Sequence, residues 1–277
     1  MKEIENKYLP IIEILEDKIF LESIKSEYKG FITANNPNIS NVRVLFIGIN
    51  PGDGTFKELN PKYNSQKDHI DKVNYPKRLF SNSEHSQIDW LKNGNARGEK
   101  INKIWHAYKW FETDKKINNT FVKRMIEFFK SFYEINNNSN FAEIENKINS
   151  EIFYWNLYPI ATKTTKELDN ILKKIVLRRI SLNSKNIANK SDLKNFFRQR
   201  TIDLIESIQP EVIICLGNQA FKELTNSNVK LHLEDNTKSF DVKFRIKSDK
   251  TYKVYNISRK GNWEKKIIKL GQELREL

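Results

Sequence analysis

The segment VRVLFIGI at residues 42–49 is the strongest indication of the fold, because it is short, apolar and rich in β-branched side chains. Asn-rich sequence precedes it, and Asn-Pro-Gly follows it. An apolar run of this length between turn-forming residues is typical of a strand that is buried on both faces of a sheet. We therefore predict a buried strand at 42–49 that ends in a tight turn.

Outward from this strand, three more short apolar runs predict strands at 152–157, 212–216 and 252–257. Apolar residues at helical spacing predict helices between the strands, at 3–28, 100–112, 118–134, 141–148, 166–181, 192–208, 217–224 and 262–276. Residues 229–247 alternate like an antiparallel hairpin. Strands separated by helices favour a three-layer α/β/α fold with a central, mostly parallel four-stranded sheet. We treat residues 1–277 as a single domain with an N-terminal helix and a long insertion at 53–150.

The composition excludes several classes of protein. The chain has one cysteine, Cys215, which excludes a disulfide framework and an iron–sulfur cluster held by several thiolates. Its four histidines lack the spacing of a zinc site. No apolar run approaches the roughly 18–20 residues that a membrane span needs, and the acidic N-terminal stretch is unlike a signal peptide. We expect a cytoplasmic monomer that needs no metal or organic cofactor.

The charge balance points to a polyanionic partner. Lys and Arg total 48 against 35 Asp and Glu, which gives a net charge of +13. Nucleic acid is the commonest polyanion that a basic soluble protein binds. A coding bias is the alternative explanation, because Lys greatly outnumbers Arg, and Asn and Ile are abundant. Charge alone leaves both explanations open.

Polar motifs follow all four predicted strands, and ligands of such sheets bind beyond the carboxyl ends of the strands. The first motif is GINPG at 48–52. Gly48 permits a sharp turn, Pro51 stiffens the exit, and Gly52 permits close approach of a ligand. Asn50 would then be held rigidly, with an amide that can both donate and accept. The alternative is an ordinary turn from strand to loop.

The second and third motifs also carry asparagine. In WNLYP at 155–159, Asn156 lies among aromatic and apolar neighbours, where an unpartnered amide would cost about 1–3 kcal/mol. It is either satisfied by nearby backbone or available to recognise the edge of a base. In LGNQA at 216–220, Gly217 permits a tight turn into a helix. Asn218 is by itself a weak signal, because asparagine is a good helix N-cap.

The fourth motif, NISRKGNW at 256–263, combines an amide, a hydroxyl and two cations after the last strand. Asn256 and Ser258 are candidates for contact with a base, and Arg259 and Lys260 for contact with phosphates. We include Trp263 among the DNA-binding candidates, although packing at a helix start is the better interpretation for it. The alternative for the whole motif is a basic turn in which Ser258 caps the helix.

At these residues the chain resembles the uracil-DNA glycosylase superfamily. GINPG is the form of the first motif in its mismatch-specific (thymine/uracil) branch and, with one change, in its single-strand-selective branch. The spacing of Asn156 and Pro159 is similar to that of the family's base-recognising Asn and a following Pro. Asn256-Ile257-Ser258 is similar to the family's Asn-Pro-Ser motif but lacks its Pro, and the 53–150 segment has no match in compact members.

The resemblance implies a role for each candidate residue. It makes the chain a DNA glycosylase in which Asn50 positions the attacking water, and in which Asn156 and Asn256 stabilise the departing base. The implied catalytic residues are Asn50 and Asn256. The implied substrate contacts are Gly48, Ile49, Pro51, Gly52, Phe56, Asn156 and Ser258. Phe56 is the candidate for stacking on the base, with Tyr75 and Phe80 as alternatives.

Two other functions remain open, and so does the identity of the base. A nucleoside or nucleotide hydrolase would act without binding DNA, and a non-catalytic DNA-binding module would bind it without releasing a base. The segment at 53–98 is long and polar, which suits a base more decorated than uracil, such as a hypermodified base in phage DNA. A disordered surface insertion is the alternative explanation for that segment.

Overall fold

The computed structural model describes residues 7–28, 30–31, 41–51, 81–82, 85–86, 120–179, 181–182, 185–226, 239–245, 250–258 and 261–276. The chain divides into two compact units. Unit 1 comprises Met1–Pro37, Asn50–Ile104 and Asn156–Ser207, and unit 2 comprises Asn38–Ile49, Trp105–Trp155 and Ile208–Leu277. Whether the chain is a single domain with an insertion at 53–150 stays a prediction.

The helices of the described residues are α1 (Leu9–Glu16), α2 (Lys18–Ile24), α3 (Thr120–Phe132), α4 (Phe141–Glu151), α5 (Thr165–Leu177), α6 (Lys190–Ile208), α7 (Asn218–Thr225) and α8 (Trp263–Leu274). The strands are β1 (Gly30–Phe31), β2 (Val44–Gly48), β3 (Ser81–Asn82), β4 (His85–Ser86), β5 (Ile152–Asn156), β6 (Ile160–Ala161), β7 (Ser181–Leu182), β8 (Lys185–Asn186), β9 (Val212–Cys215), β10 (Ser239–Val242) and β11 (Tyr252–Asn256). The helix predicted at 100–112 lies outside the described residues.

Unit 2 is built on a five-stranded sheet in the order β10-β11-β9-β2-β5. The central strand β9 is parallel to both neighbours, and its Cys215 is in register with Ile47 of β2 and Asn256 of β11. The prediction of a mostly parallel sheet is confirmed, but its count of four strands was one too low. The fifth strand is β10, an edge strand whose alternating residues pair antiparallel with β11. The other arm of the predicted hairpin lies outside the described residues.

Helices cover both faces of this sheet, which confirms the three-layer fold. On one face, Phe46 and its neighbours bury apolar side chains against α3, α4 and α8. The ring of Phe46 meets that of Phe128 edge-on, at 5.0 Å between centroids. On the other face, Phe240 pairs in register with Val254 and contacts Phe221 of α7, at 4.9 Å between ring centroids. The three strands β2, β5 and β9 are buried almost throughout, as their continuous apolar runs predict, whereas β10 and β11 at one side of the sheet keep exposed residues.

Helices α3 and α8 cross at a glycine. A Cβ atom at Gly271 would lie 2.9 Å from the carbonyl oxygen of Phe128, closer than side chains normally approach backbone. The absence of a side chain therefore lets α8 lie directly on α3. An ion pair between Arg124 and Glu264 joins the same two helices.

Arg43 ties together the amino ends of three strands. Its guanidinium lies 3.5 Å from the carboxylate of Glu151, before β5, and 3.4 Å from that of Glu211, before β9. It also stacks over the ring of Phe132, 4.7 Å from the centroid. The backbone N–H of Arg43 donates to the carbonyl of Glu151 at 2.8 Å, so β2 and β5 begin at the same edge of the sheet.

Unit 1 begins with two helices where the sequence predicts one at 3–28. Asp17 leaves the helical conformation, with ψ at 125°, and its side chain accepts from the backbone N–H of Phe20 at 2.8 Å. An aspartate that caps a second helix is favoured over one in a helix interior. The single-helix prediction is therefore wrong at Asp17.

The core of unit 1 is aromatic. The buried ring of Tyr8 contacts Phe31, Phe196 and Phe197, at centroid distances of 5.6, 6.0 and 5.9 Å. Tyr158 contacts Phe197 edge-on at 5.5 Å. The short strand β6 pairs antiparallel with β1. This packing fixes the segment that follows Asn156, which carries the hydrogen-bonding groups described below.

None of the helices in the described ranges is long and apolar enough to cross a membrane.

Candidate active site

In unit 1, Asn50 lies two residues after the end of β2 and is half-buried. The adjacent Pro51 is buried, and its carbonyl oxygen accepts from the backbone N–H of Thr162 at 3.1 Å. The turn after β2 is thereby bonded to the chain that follows β6. Gly48 is buried and Ile49 half-buried, so the GINPG motif enters the turn from a fully packed strand, as predicted.

The side-chain nitrogen of Asn50 is surrounded by oxygen atoms. Nδ2 donates to the hydroxyl of Thr162 at 2.9 Å and to the carbonyl of Pro51 at 3.0 Å, and it lies 3.5 Å from the carbonyl of Ile160. Backbone carbonyls accept hydrogen bonds and cannot donate them. The Asn50 amide must therefore point its nitrogen toward this cluster, because the reverse orientation would place its oxygen against the carbonyl oxygens.

The side-chain oxygen of Asn50 is left for another donor. No group among the described residues donates a hydrogen bond to Oδ1 of Asn50. A carbonyl oxygen accepts hydrogen bonds but takes up no proton near neutral pH. Asn50 can thus orient a water molecule by accepting one of its hydrogens, and it cannot act as a general base.

Thr162 is a residue of this cluster that the sequence prediction missed. It is 1% exposed, and its hydroxyl donates to the carbonyl of Thr164 at 2.8 Å while accepting from Asn50. Thr164 caps α5 in a capping box with Glu167. The T-x-x-E pattern of that box is visible in the sequence, but it predicts a helix start and no contact with Asn50.

Asn156 lies where the sequence predicts it, as the last residue of β5. Only 5% of its surface is exposed, and Leu157, Tyr158 and Pro159 after it are buried too. A buried asparagine at the carboxyl end of a strand has an amide that could recognise the edge of a flipped-out base. Its contact with a base stays a prediction.

In unit 2, Asn256 and Asn218 form an amide pair. Asn256 ends β11, is 2% exposed, and donates from Nδ2 to the Oδ1 of Asn218 at 2.8 Å. The Oδ1 of Asn256 is buried and has no hydrogen-bond partner among the described residues. Asn218 is the first residue of α7, and Gly217, with φ at 119°, holds the N-cap position. The N-cap interpretation of Asn218 is therefore wrong, because its side chain binds Asn256 instead.

The rest of the fourth motif is only partly described. Ser258 is buried, at 4% exposure, and Asn262 caps α8, so the interpretation of Ser258 as the cap is wrong. Trp263 opens α8 and packs half-buried against the core of unit 2, in agreement with the packing interpretation. Six candidates lie outside the described residues: Gly52, Phe56, Tyr75, Phe80, Arg259 and Lys260.

Two ionisable groups of unit 2, one on β9 and one on α7, have shifted pKa values. Cys215 is in register with Asn256 on the neighbouring strand. Burial raises the pKa of its thiol well above the usual range. That thiol stays protonated and is a poor nucleophile. Burial also raises the pKa of Glu223, on α7, to about 7. The described residues contain no cluster of His, Cys, Asp and Glu that could hold a metal ion.

A three-layer α/β/α fold with buried amides at the strand ends matches the architecture that the sequence motifs imply. The family model of the Uracil DNA glycosylase superfamily matches residues 35–270, which is most of the chain. The chain belongs to this superfamily. Its members are DNA glycosylases, enzymes that act on DNA by releasing a base. Comparison with curated proteins finds no significant match.

Proposed function

We propose that the chain hydrolyses the N-glycosidic bond of a flipped-out base in DNA, using a water molecule oriented by Asn50. Family membership supports the general activity. The observation that carries the residue assignment is the surrounding of Asn50 by oxygen atoms. Because its Nδ2 faces Thr162 and Pro51, its Oδ1 is the atom available to a water.

The proposed mechanism needs no ionised nucleophile. The base leaves the stack and the glycosidic bond lengthens, giving an oxocarbenium-like sugar and a departing base anion. A neutral water held by an amide oxygen suits attack on a carbon that is already cationic: its oxygen bonds to that carbon, and the proton that it loses neutralises the departing base anion. Asn156 and Asn256 are the proposed donors to the carbonyl oxygens of the base, where preorganised hydrogen bonds stabilise the developing charge. Asn256 retains a second Nδ2 hydrogen besides the one that it gives to Asn218.

For the base itself, we propose a substrate larger or more decorated than uracil, as in phage DNA with hypermodified bases, and hence a role in antiviral defence. The support is the sequence of the segment that follows the first motif. It is long and carries polar side chains suited to recognising added groups: Asp53, Lys57, Asn64, Gln66, His69 and Arg97. A repair enzyme acting on uracil is the simpler candidate within the same family.

The test is a panel of DNA substrates. Duplex and single-stranded DNA carrying uracil, and phage DNA carrying hydroxymethylated or glucosylated bases, are incubated with the protein, and abasic sites are counted. Release from modified DNA supports the defence proposal, whereas efficient release of uracil alone contradicts it. DNA binding without any release favours a non-catalytic module. Release only from free nucleosides or nucleotides favours a small-molecule hydrolase.

A further inference from the structure

We propose that Thr162 is a positioning residue of the glycosylase reaction, which acts by fixing the amide orientation of Asn50. The inference rests on the proposed role of Asn50 as the residue that orients the water. Thr162 touches no reacting atom in this scheme. Together with the Pro51 carbonyl, it determines which end of the Asn50 amide faces away from the oxygen cluster.

The directions of the hydrogen bonds support this role. The hydroxyl of Thr162 has one hydrogen, and the carbonyl of Thr164 receives it at 2.8 Å. Only lone pairs of Thr162 Oγ1 then face Asn50, whose Nδ2 lies 2.9 Å away. A turn of the Asn50 amide by 180° would place its oxygen against the Thr162 hydroxyl and the carbonyl of Pro51. That orientation loses both hydrogen bonds and sets like partial charges against each other.

The surroundings of Thr162 make it a rigid support. The residue is 1% exposed, and its backbone N–H binds the carbonyl of Pro51 at 3.1 Å, so backbone and side chain both hold the turn after β2. The carbonyl that receives its hydroxyl belongs to Thr164, whose own N–H binds the Glu167 carboxylate at 3.1 Å. The amide of Asn50 is thereby connected to the capped start of α5, an ordered helix end.

The decisive variant is Thr162→Val, which keeps the shape of the side chain and removes its oxygen. We expect kcat for base release to fall about tenfold, since one hydrogen bond to a positioned group is lost. We expect KM for DNA to stay at the wild-type value. Thr162→Ser keeps the hydroxyl and should restore kcat.

A matched control separates positioning from stability. Thr201 is also a fully buried threonine of unit 1, and its hydroxyl binds the carbonyl of Phe197 on α6. Thr201→Val should lower the melting temperature about as much as Thr162→Val does, with kcat unchanged. Equal losses of kcat in both variants would overturn the proposal.

A double-mutant cycle tests whether Thr162 acts through Asn50. If it does, Thr162→Val in an Asn50→Ala background lowers kcat no further. Multiplying losses would mean that Thr162 acts independently, which contradicts the proposal. If Asn50→Ala excises at the wild-type rate, the proposed function of Asn50 fails. If Asn50→Ala is inactive while Thr162→Val is unaffected, only the present inference fails.

A readout without substrate keeps the test valid for a protein whose base is unidentified. In the ¹⁵N-labelled chain, the side-chain NH₂ of Asn50 should exchange with solvent more slowly than exposed asparagine amides. Thr162→Val should speed that exchange, and Thr162→Ser should leave it slow. Unchanged exchange in a folded Thr162→Val variant would overturn the proposal, because the amide would then be held by other groups.

Discussion

Asn50 follows β2 and Asn256 ends β11, and the hydrogen-bond partners of the two amides differ in kind. The nitrogen of Asn50 faces a hydroxyl and backbone carbonyls that can only accept from it. The nitrogen of Asn256 faces the amide of Asn218, which carries both an acceptor and a donor. If both amides of that pair turned by 180°, a hydrogen bond would still join them, whereas a turn of Asn50 loses its bonds.

This comparison shows how neighbouring hydrogen-bonding groups fix the orientation of a side-chain amide. Because the nitrogen of Asn50 is bonded to groups that only accept, its oxygen is the atom left to form another hydrogen bond. An oxygen that accepts suits the proposed role of orienting a water. Because the partner of Asn256 is itself an amide, Asn218, the end of the Asn256 amide that faces away from the pair depends on how Asn218 is oriented. The Oδ1 of Asn256, buried and unpartnered among the described residues, is the acceptor presented in the present orientation.

Removing the side-chain amide of Asn50 should lower activity more than any other substitution considered. Asn50→Ala should lower base release by about 100-fold or more, because it removes the group that we propose to position the attacking water. Affinity for DNA should change little, since the substitution removes no charge that could bind a phosphate. Single-turnover excision and equilibrium binding measure the two quantities. Excision at the wild-type rate would show that another residue holds the water.

The next prediction distinguishes the role of the Asn256–Asn218 pair from that of Asn50. Asn218→Ala removes the partner that sets the polarity of Asn256, and we expect about tenfold changes in the relative release of different bases. Asn218→Asp can only accept, so it should preserve the wild-type ranking of bases. Rates on the substrate panel measure this ranking. Equal losses on all bases in Asn218→Ala would contradict the distinction between the two regions.

A smaller effect is expected beyond Asn256, where binding rather than chemistry is at stake. Neutralising Arg259 and Lys260 together should weaken binding to DNA of every sequence. On duplex DNA, the slope of log K against log salt should fall by about 0.9 for each phosphate that the variant no longer neutralises. Titrations at several salt concentrations measure it. An unchanged slope would mean that these two cations bind no phosphate.

The smallest effect concerns Glu223, on the helix that carries Asn218. Its pKa is raised from 4.5 to about 7 by burial, so between those pH values the folded chain holds a proton that the unfolded chain releases. The free energy of unfolding therefore falls as the pH rises from 4.5 to 7. Glu223→Gln should remove this fall and stabilise the chain above pH 7 by about 1 kcal/mol.

Urea unfolding of the wild type and of Glu223→Gln at pH 5 and pH 8 measures this difference. The glutamine keeps an oxygen for the side chain of Gln219, which donates to Glu223 at 3.0 Å. The two proteins should be closer in stability at pH 5 than at pH 8. A stability gap that does not change with pH would show that Glu223 titrates normally.

The sheet could be predicted because its strands are apolar runs, and a run buried on both faces needs no distant information to recognise. The break at Asp17 was missed because apolar residues at helical spacing continue on both sides of it. The contact of Thr162 with Asn50 joins residues 112 positions apart, and that of Asn256 with Asn218 joins residues 38 apart. Motifs identify Asn50 and Asn256, but only the folded chain reveals the partners that orient them.

The ion pairs of Arg43 bear on how the sequence of this protein can change. Its ion pairs with Glu151 and Glu211 hold the amino ends of the strands, whereas Asn256 and its partner Asn218 lie at the carboxyl ends. Stability and the proposed recognition of the base thus depend on residues at opposite ends of the same strands. If Asn256 contacts the base as proposed, selection for a new base can substitute residues at the carboxyl ends while the amino ends preserve the fold.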